Sequence, residues 1–118
     1  MVAANVTYDG TKKVIRVEVL GAETIQDWET SKTQVLQLSV ENDCHRVLVD
    51  ARKQLNAPNT FELFQFVEAW PTSIRVAKVV GEKSRADQHF AETVAINRGI
   101  PMKDFDDECE AMEWLIEK

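Results

Sequence analysis

Along the chain the apolar positions change period several times, and each change marks an element. Ile15, Val17 and Val19 alternate with Arg16 and Glu18, the two-residue period of a strand with one buried face. Val2 to Tyr8 precede them across Asp9-Gly10, a dipeptide that supplies the positive φ of a tight hairpin turn. These residues predict a β-hairpin, with strands Val2–Tyr8 and Lys13–Leu20. Next, Ile25, Trp28, Val35, Leu36 and Ser39 share one face at helical spacing. Thr24 is placed as the N-cap of this helix and Asp27 lies in its first turn, where the helix dipole favours a carboxylate. Lys32 falls within the apolar face. Its methylene stem can pack there while the ammonium reaches water; a buried lysine of lowered pKa is the sharper alternative.

Arg46 to Asp50 are apolar on both sides in the middle, as in a parallel strand covered on both faces. A loop, Leu55 to Asn59, leads to a helix capped by Asn59 or Thr60 that runs to Trp70 and is ended by Pro71. A strand from Ile74 to Val80 follows. Ser84 with Asp87 three residues on opens another helix, burying Ala86, Phe90 and Val94 and stopped by Gly99. Pro101 confines the strand Met102–Phe105 to a sheet edge, because proline cannot donate to the ladder. Asp106, Asp107 and Glu108 then open a last helix, with Ala111, Met112, Leu115 and Ile116 expected inside and Glu110, Glu113 and Glu117 outside. The order β-β-α-β-α-β-α-β-α predicts an α/β fold: a mainly parallel sheet of about five strands, with an N-terminal hairpin and about four helices.

At 118 residues, the chain is the size of one domain, so a single domain over 1–118 is expected. With 44% hydrophobic and 29% charged residues, it carries the composition of a soluble globular protein. No apolar run is long enough to span a bilayer, and no secretory signal pattern follows Met1. A net charge of -6 argues against a nucleic-acid partner. Cys44 and Cys109 lie far apart, with Cys109 placed on the apolar side of the last helix, as expected for reduced thiols in a cytoplasmic protein.

One group of residues resembles a known family. Val47-Leu48-Val49-Asp50, Asn97-Arg98-Gly99, Phe105-Asp106, Ala111 and Trp114-Leu115 together resemble the STAS-like (SpoIIAA-like) family, relatives of the bacterial anti-sigma-factor antagonists and distantly of CRAL-TRIO lipid-binding domains. The resemblance covers nearly the whole chain, most strongly from Val47 onward. It implies the same α/β fold and a binding or regulatory role without catalysis. In anti-sigma-factor antagonists an aspartate and a phosphorylated serine open the helix after the central strand. Here that place reads Pro58-Asn59-Thr60. Thr60 is the only hydroxyl at that place, and a helix N-cap role competes with phosphorylation there.

Candidate chemistry is sparse. Cys44, His45, His89 and Cys109 show neither CxxC nor HxxxH spacing, so no metal site is expected. No GxSxG, P-loop or GxGxxG motif is present, so no nucleophile, nucleotide or other cofactor is expected. An enzyme would need a cleft in which Lys32, His89 or an acidic residue has a strongly displaced pKa.

Two features point instead to binding. The helix 60–70 carries Phe61, Leu63, Phe64, Phe66, Val67 and Trp70. Apart from Phe61, they span roughly 160 degrees of the helical wheel, wider than a core-facing stripe. A small amphiphilic ligand, a membrane surface, a second copy or another protein would cover the surplus. The second feature is basic: Arg52 and Lys53 follow the central strand, and Lys83 and Arg85 follow the next. Ligands of open α/β sheets bind at that carboxyl edge, where helix N-termini favour anions. The expected role is a cytoplasmic, non-enzymatic module that binds an amphiphile, peripheral to the membrane if helix 60–70 meets a bilayer. The alternative is a homodimer or partner switch using the same helix.

Overall fold

The computed structural model describes residues 4–20, 25–53, 70–80 and 99–116. They build a mixed five-stranded sheet and two helices: β1 (Ala4–Asp9), β2 (Val14–Val19), α1 (Ile25–Asn42), β3 (Arg46–Ala51), β4 (Arg75–Val80), β5 (Met102–Phe105) and α2 (Glu108–Ile116). The strands lie in the order β1-β2-β3-β4-β5. β1 pairs antiparallel with β2, and the three later pairings are parallel. The sheet is therefore a mixed one, where a mainly parallel sheet was expected. The helices expected over 60–70 and from Ser84 to Gly99 lie outside the described residues, as do the Thr24 cap and His89.

Alternation sorts the strand residues onto two faces. On one, Ile15, Val17, Val47 and Val76 meet Val35 of α1, with Trp28, Leu36 and Leu38 packed at the margin. On the other, Val14, Leu48, Ala77 and Val79 meet Ala111 and Leu115 of α2. The middle of the central strand β3 is apolar on both faces because each face packs into a core cluster, Val47 in the one that holds Val35 of α1 and Leu48 in the one that holds Ala111 and Leu115 of α2. As expected, β5 is an edge strand; the carbonyl of Pro101 still accepts the Val76 N–H at 2.8 Å.

Three local expectations change. The hairpin turn does not place its left-handed residue at Gly10: Lys13 takes that conformation, with φ 57°. The Asp9 carboxylate explains this. Its Oδ1 accepts the N–H groups of Thr11 and Lys12, while the Asp9 carbonyl accepts that of Lys13. The loop thus winds as one right-handed turn and reverses only at its last residue. Ile116, expected inside, is 50% exposed, and Trp114 packs instead, its ring 5.8 Å from Phe105. Cys109, expected on the apolar side of α2, is exposed.

α1 ends without glycine. Asp43 adopts a left-handed φ of 49°, and the Cys44 N–H returns to the Ser39 carbonyl at 3.0 Å, the six-to-one bond of a Schellman stop. Lys32 is half-buried on α1.

One pair of charges escaped the sequence reading. Lys78 stands in β4 among Val76, Ala77, Val79 and Val80, and its register partner on β5 is Asp104. The ammonium lies 3.5 Å from the carboxylate, with side chains 9% and 13% exposed. Both lie on the same sheet face as Val76 and Met102, two residues further along their strands.

Candidate functional site

The carboxyl edge of the parallel strands is where binding residues were expected. Asp50 is the next-to-last residue of β3, and Arg52 begins the turn that follows. The chain folds back so that Asp50 Oδ1 accepts the Arg52 backbone N–H at 3.2 Å and Nε–H at 3.0 Å, while Oδ2 accepts Nη2–H at 2.8 Å. This two-pronged contact matches the planar guanidinium to the carboxylate. From the other side comes α2. Glu108, its first residue, accepts from Arg16 Nη2 at 3.0 Å and lies 3.9 Å from Arg52 Nη2. Asp107 caps that helix, its Oδ1 accepting the Cys109 N–H.

The result is an alternating network of two arginines and two carboxylates. Hydrogen bonding from the Arg52 side chain holds the Asp50 carboxyl below its usual pKa, against the opposing effect of its burial. The same contact pushes the Arg52 guanidinium above its usual value. Arg52 is half exposed, yet its charge is already answered. Lys53 is exposed and makes no ion pair among the described residues. Beside the network, a cavity of about 250 Å³ opens between Asn5, Thr7, Arg16, Glu18 and Asp50.

The pairing has a pH signature. Because the folded pKa of Asp50 is depressed, its contribution is complete above the unfolded carboxylate pKa of about 3.9 and is lost as pH falls through the folded value. Asp50→Asn is therefore expected to flatten the loss of stability between pH 5 and 3. Since the guanidinium is half exposed, the effect is at most about 1 kcal/mol. Urea midpoints across that range would measure it. An unchanged acid limb would show the pair to be inconsequential.

The fold thus brings Arg52 and Lys53 to the expected edge. Lys83, Arg85, Thr60, Phe61, Leu63, Phe64, Phe66 and Val67 lie outside the described residues. Of the apolar run, Trp70 alone is described. It is buried in the α1-side core, its indole N–H donating to the Ile74 carbonyl at 3.3 Å. The sequence reading missed the carboxylates Asp50 and Glu108 as partners of the arginines. Asp50-x-Arg52 was a legible signal, since an aspartate two residues before a basic residue readily folds back on it. Among the described residues, no group of three histidines, cysteines or acids is placed to hold a metal ion. No helix there is long and apolar enough to cross a membrane.

No family model and no curated protein matches the chain. Among solved structures, it is similar to an uncharacterized protein of the DUF3478 family, with a SpoIIAA-like fold, from Shewanella loihica PV-4. The two are 20% identical with a TM-score of 0.60, and the match covers 96% of this chain and 92% of that one. The chain therefore has the SpoIIAA-like fold that its sequence resembled. At that identity the likeness speaks for the fold alone.

Proposed function

We propose that this protein is a non-enzymatic binding module that takes a small amphiphile, or a membrane surface, on the aromatic segment 60–70. The observation that carries the reading is the apolar run itself: Phe61, Leu63, Phe64, Phe66, Val67 and Trp70 within eleven residues. Trp70 is committed to the core, which anchors one end of the run and leaves five large apolar side chains for the remainder. Lys53, Lys83 and Arg85 are the cations offered to a head group; Arg52 contributes less, because Asp50 and Glu108 already engage it. A SpoIIAA-like fold is compatible with such a module.

Native mass spectrometry of the purified protein, followed by organic extraction, tests the reading. A monomer carrying an extractable amphiphile is the expected result; empty protein that also fails to bind lipid vesicles would overturn it. The same run supports a second reading, in which the segment is buried against a second copy or a partner protein as a regulatory switch. Phe64→Glu and Phe66→Glu should then convert a concentration-dependent dimer into monomer. A wild-type chain that is monomeric throughout and tolerates both changes would exclude the homodimer.

A further inference from the structure

We propose that the opposite, amino edge of the sheet carries a separate binding site for a small phosphomonoester. A cavity of about 410 Å³ opens there, within the range of roughly 300–1,000 Å³ typical of small-molecule sites. Among the described residues three cations line it, Lys13 from the hairpin, Arg46 from the start of β3 and Arg75 from the start of β4, against a single carboxylate, Asp43. In a chain of net charge -6, this is a local excess of positive charge in a concave place, where the field is focused. Ser73 adds a hydroxyl donor.

The backbones that carry these cations are tied together, and the Arg75 side chain is held as well. The buried Cys44 thiol lies 3.3 Å from the Lys13 carbonyl and 3.6 Å from that of Arg46, tying the hairpin to β3. The Arg75 backbone N–H donates to the His45 carbonyl at 2.9 Å, tying β4 to the same point. The Arg75 guanidinium lies over the Trp114 ring, 4.7 Å from its centroid, and donates to the Trp114 carbonyl at 2.6 Å. The two non-glycine residues with left-handed backbone among the described residues, Lys13 and Asp43, both line this cavity. For a lysine that conformation costs free energy, and such strain gathers at binding sites.

Basic side chains also collect near helix C-termini, where carbonyls carry partial negative charge. That accounts for Arg75, which meets the last turn of α2. It does not account for the other two. The end of α1 is satisfied locally, by the Asn42 side chain on the Leu38 carbonyl and the Cys44 N–H on that of Ser39. The side chains of Lys13 and Arg46 form no hydrogen bond or ion pair among the described residues, and their charges remain for a ligand.

The donors favour a phosphate over a carboxylate. Three cations balance a phosphate dianion more nearly than a carboxylate's single charge, and the phosphate's three terminal oxygens offer them more acceptor sites. Tyr8 and Leu115 form part of the wall, so the ligand has an organic body as well as a charged head. This site lies across the length of the strands from Asp50 and Arg52, and stands independently of the amphiphile reading.

Phenyl phosphate is the probe, with benzoate as the carboxylate of similar body, followed by amide NMR shifts on the intact chain. Phenyl phosphate is expected to give saturable shifts at residues 13, 43–46 and 73–75, and to bind more tightly than benzoate. Lys13→Gln and Arg46→Gln should each weaken it roughly ten-fold. Asp43→Asn, which keeps a residue tolerant of the left-handed backbone, should tighten it. Lys103→Gln removes a charge from β5 outside the cavity and should change nothing. No saturable shift at those amides, equal affinity for benzoate, or indifference to both Lys13→Gln and Arg46→Gln would overturn the proposal. Shifts confined to residues 50–53 would do the same and would assign the anion to the other edge. The wild-type map decides the location even if a variant fails to fold.

Discussion

Asp104→Ala is expected to destabilise the protein by about 3–5 kcal/mol, a large share of the roughly 5–15 kcal/mol that holds a domain together. Its carboxylate is 13% exposed and lies 3.5 Å from the Lys78 ammonium, itself 9% exposed. The two stand side in register on β4 and β5, in the row that continues through Val49 and Val17 beneath α1. Removing the carboxylate takes this counter-charge from a cation that stands where water is scarce. Lys78→Ala leaves the converse charge and should cost a similar amount.

The pair's net worth is another matter. Desolvating two charges offsets most of their attraction, so an apolar pair of similar volume can serve as well. Lys78→Met with Asp104→Leu should therefore recover most or all of the lost stability, although each change alone is harmful. Urea unfolding of the four proteins forms a double-mutant cycle. A single-mutant loss below about 1 kcal/mol would mean that the pair is effectively solvated. A double mutant as unstable as the singles would mean that the charges themselves, and not their mutual compensation, hold β5 to the sheet.

The strands were legible because their pattern is produced by burial. β2 alternates where one face is partly exposed, and the middle of β3 is apolar on both sides because each side packs into a core cluster. Features set by long-range register were not legible. Nothing in Val76-Ala77-Lys78-Val79-Val80 announces that Asp104 will arrive beside the lysine. The cations of the amino-edge cavity come from positions 13, 46 and 75. They are strangers along the chain and neighbours only because three strands enter the sheet at one end. At the carboxyl edge the same limit applied: Arg52 was visible among the basic residues, but Glu108 reaches it from α2 at the far end of the sequence. Local chemistry misled once as well. Asp9-Gly10 suggested a tight turn, and the Asp9 carboxylate instead wound a longer one.

α2 supplies the sharpest contrast between two neighbouring side chains, and Leu115→Ala is expected to cost about 3–5 kcal/mol. Leu115 is 1% exposed and packs with Val14, Leu48, Ala77 and Val79. Truncation there leaves a hole bounded by strands that cannot easily close. Ile116 is the next residue, equally apolar, and was expected inside. One residue turns a helix by about 100 degrees. With Ala111 and Leu115 at the centre of the buried arc, Trp114 falls on one margin and Ile116 lies 50% exposed. Ile116→Ala should therefore change stability by no more than about 0.5 kcal/mol. Equal losses in the two variants would mean that α2 is rotated from its described position. Leu115→Met, which conserves volume, should cost less than about 1.5 kcal/mol. The consequence reaches the cavity, because Leu115 forms part of its wall and the preceding carbonyl, that of Trp114, holds the Arg75 guanidinium. Where Leu115→Ala still folds, it should weaken phenyl phosphate binding, while Ile116→Ala leaves it intact. Stability and binding would then fail together at one position and survive together at the next, as they must if the packing of α2 is what aims Arg75.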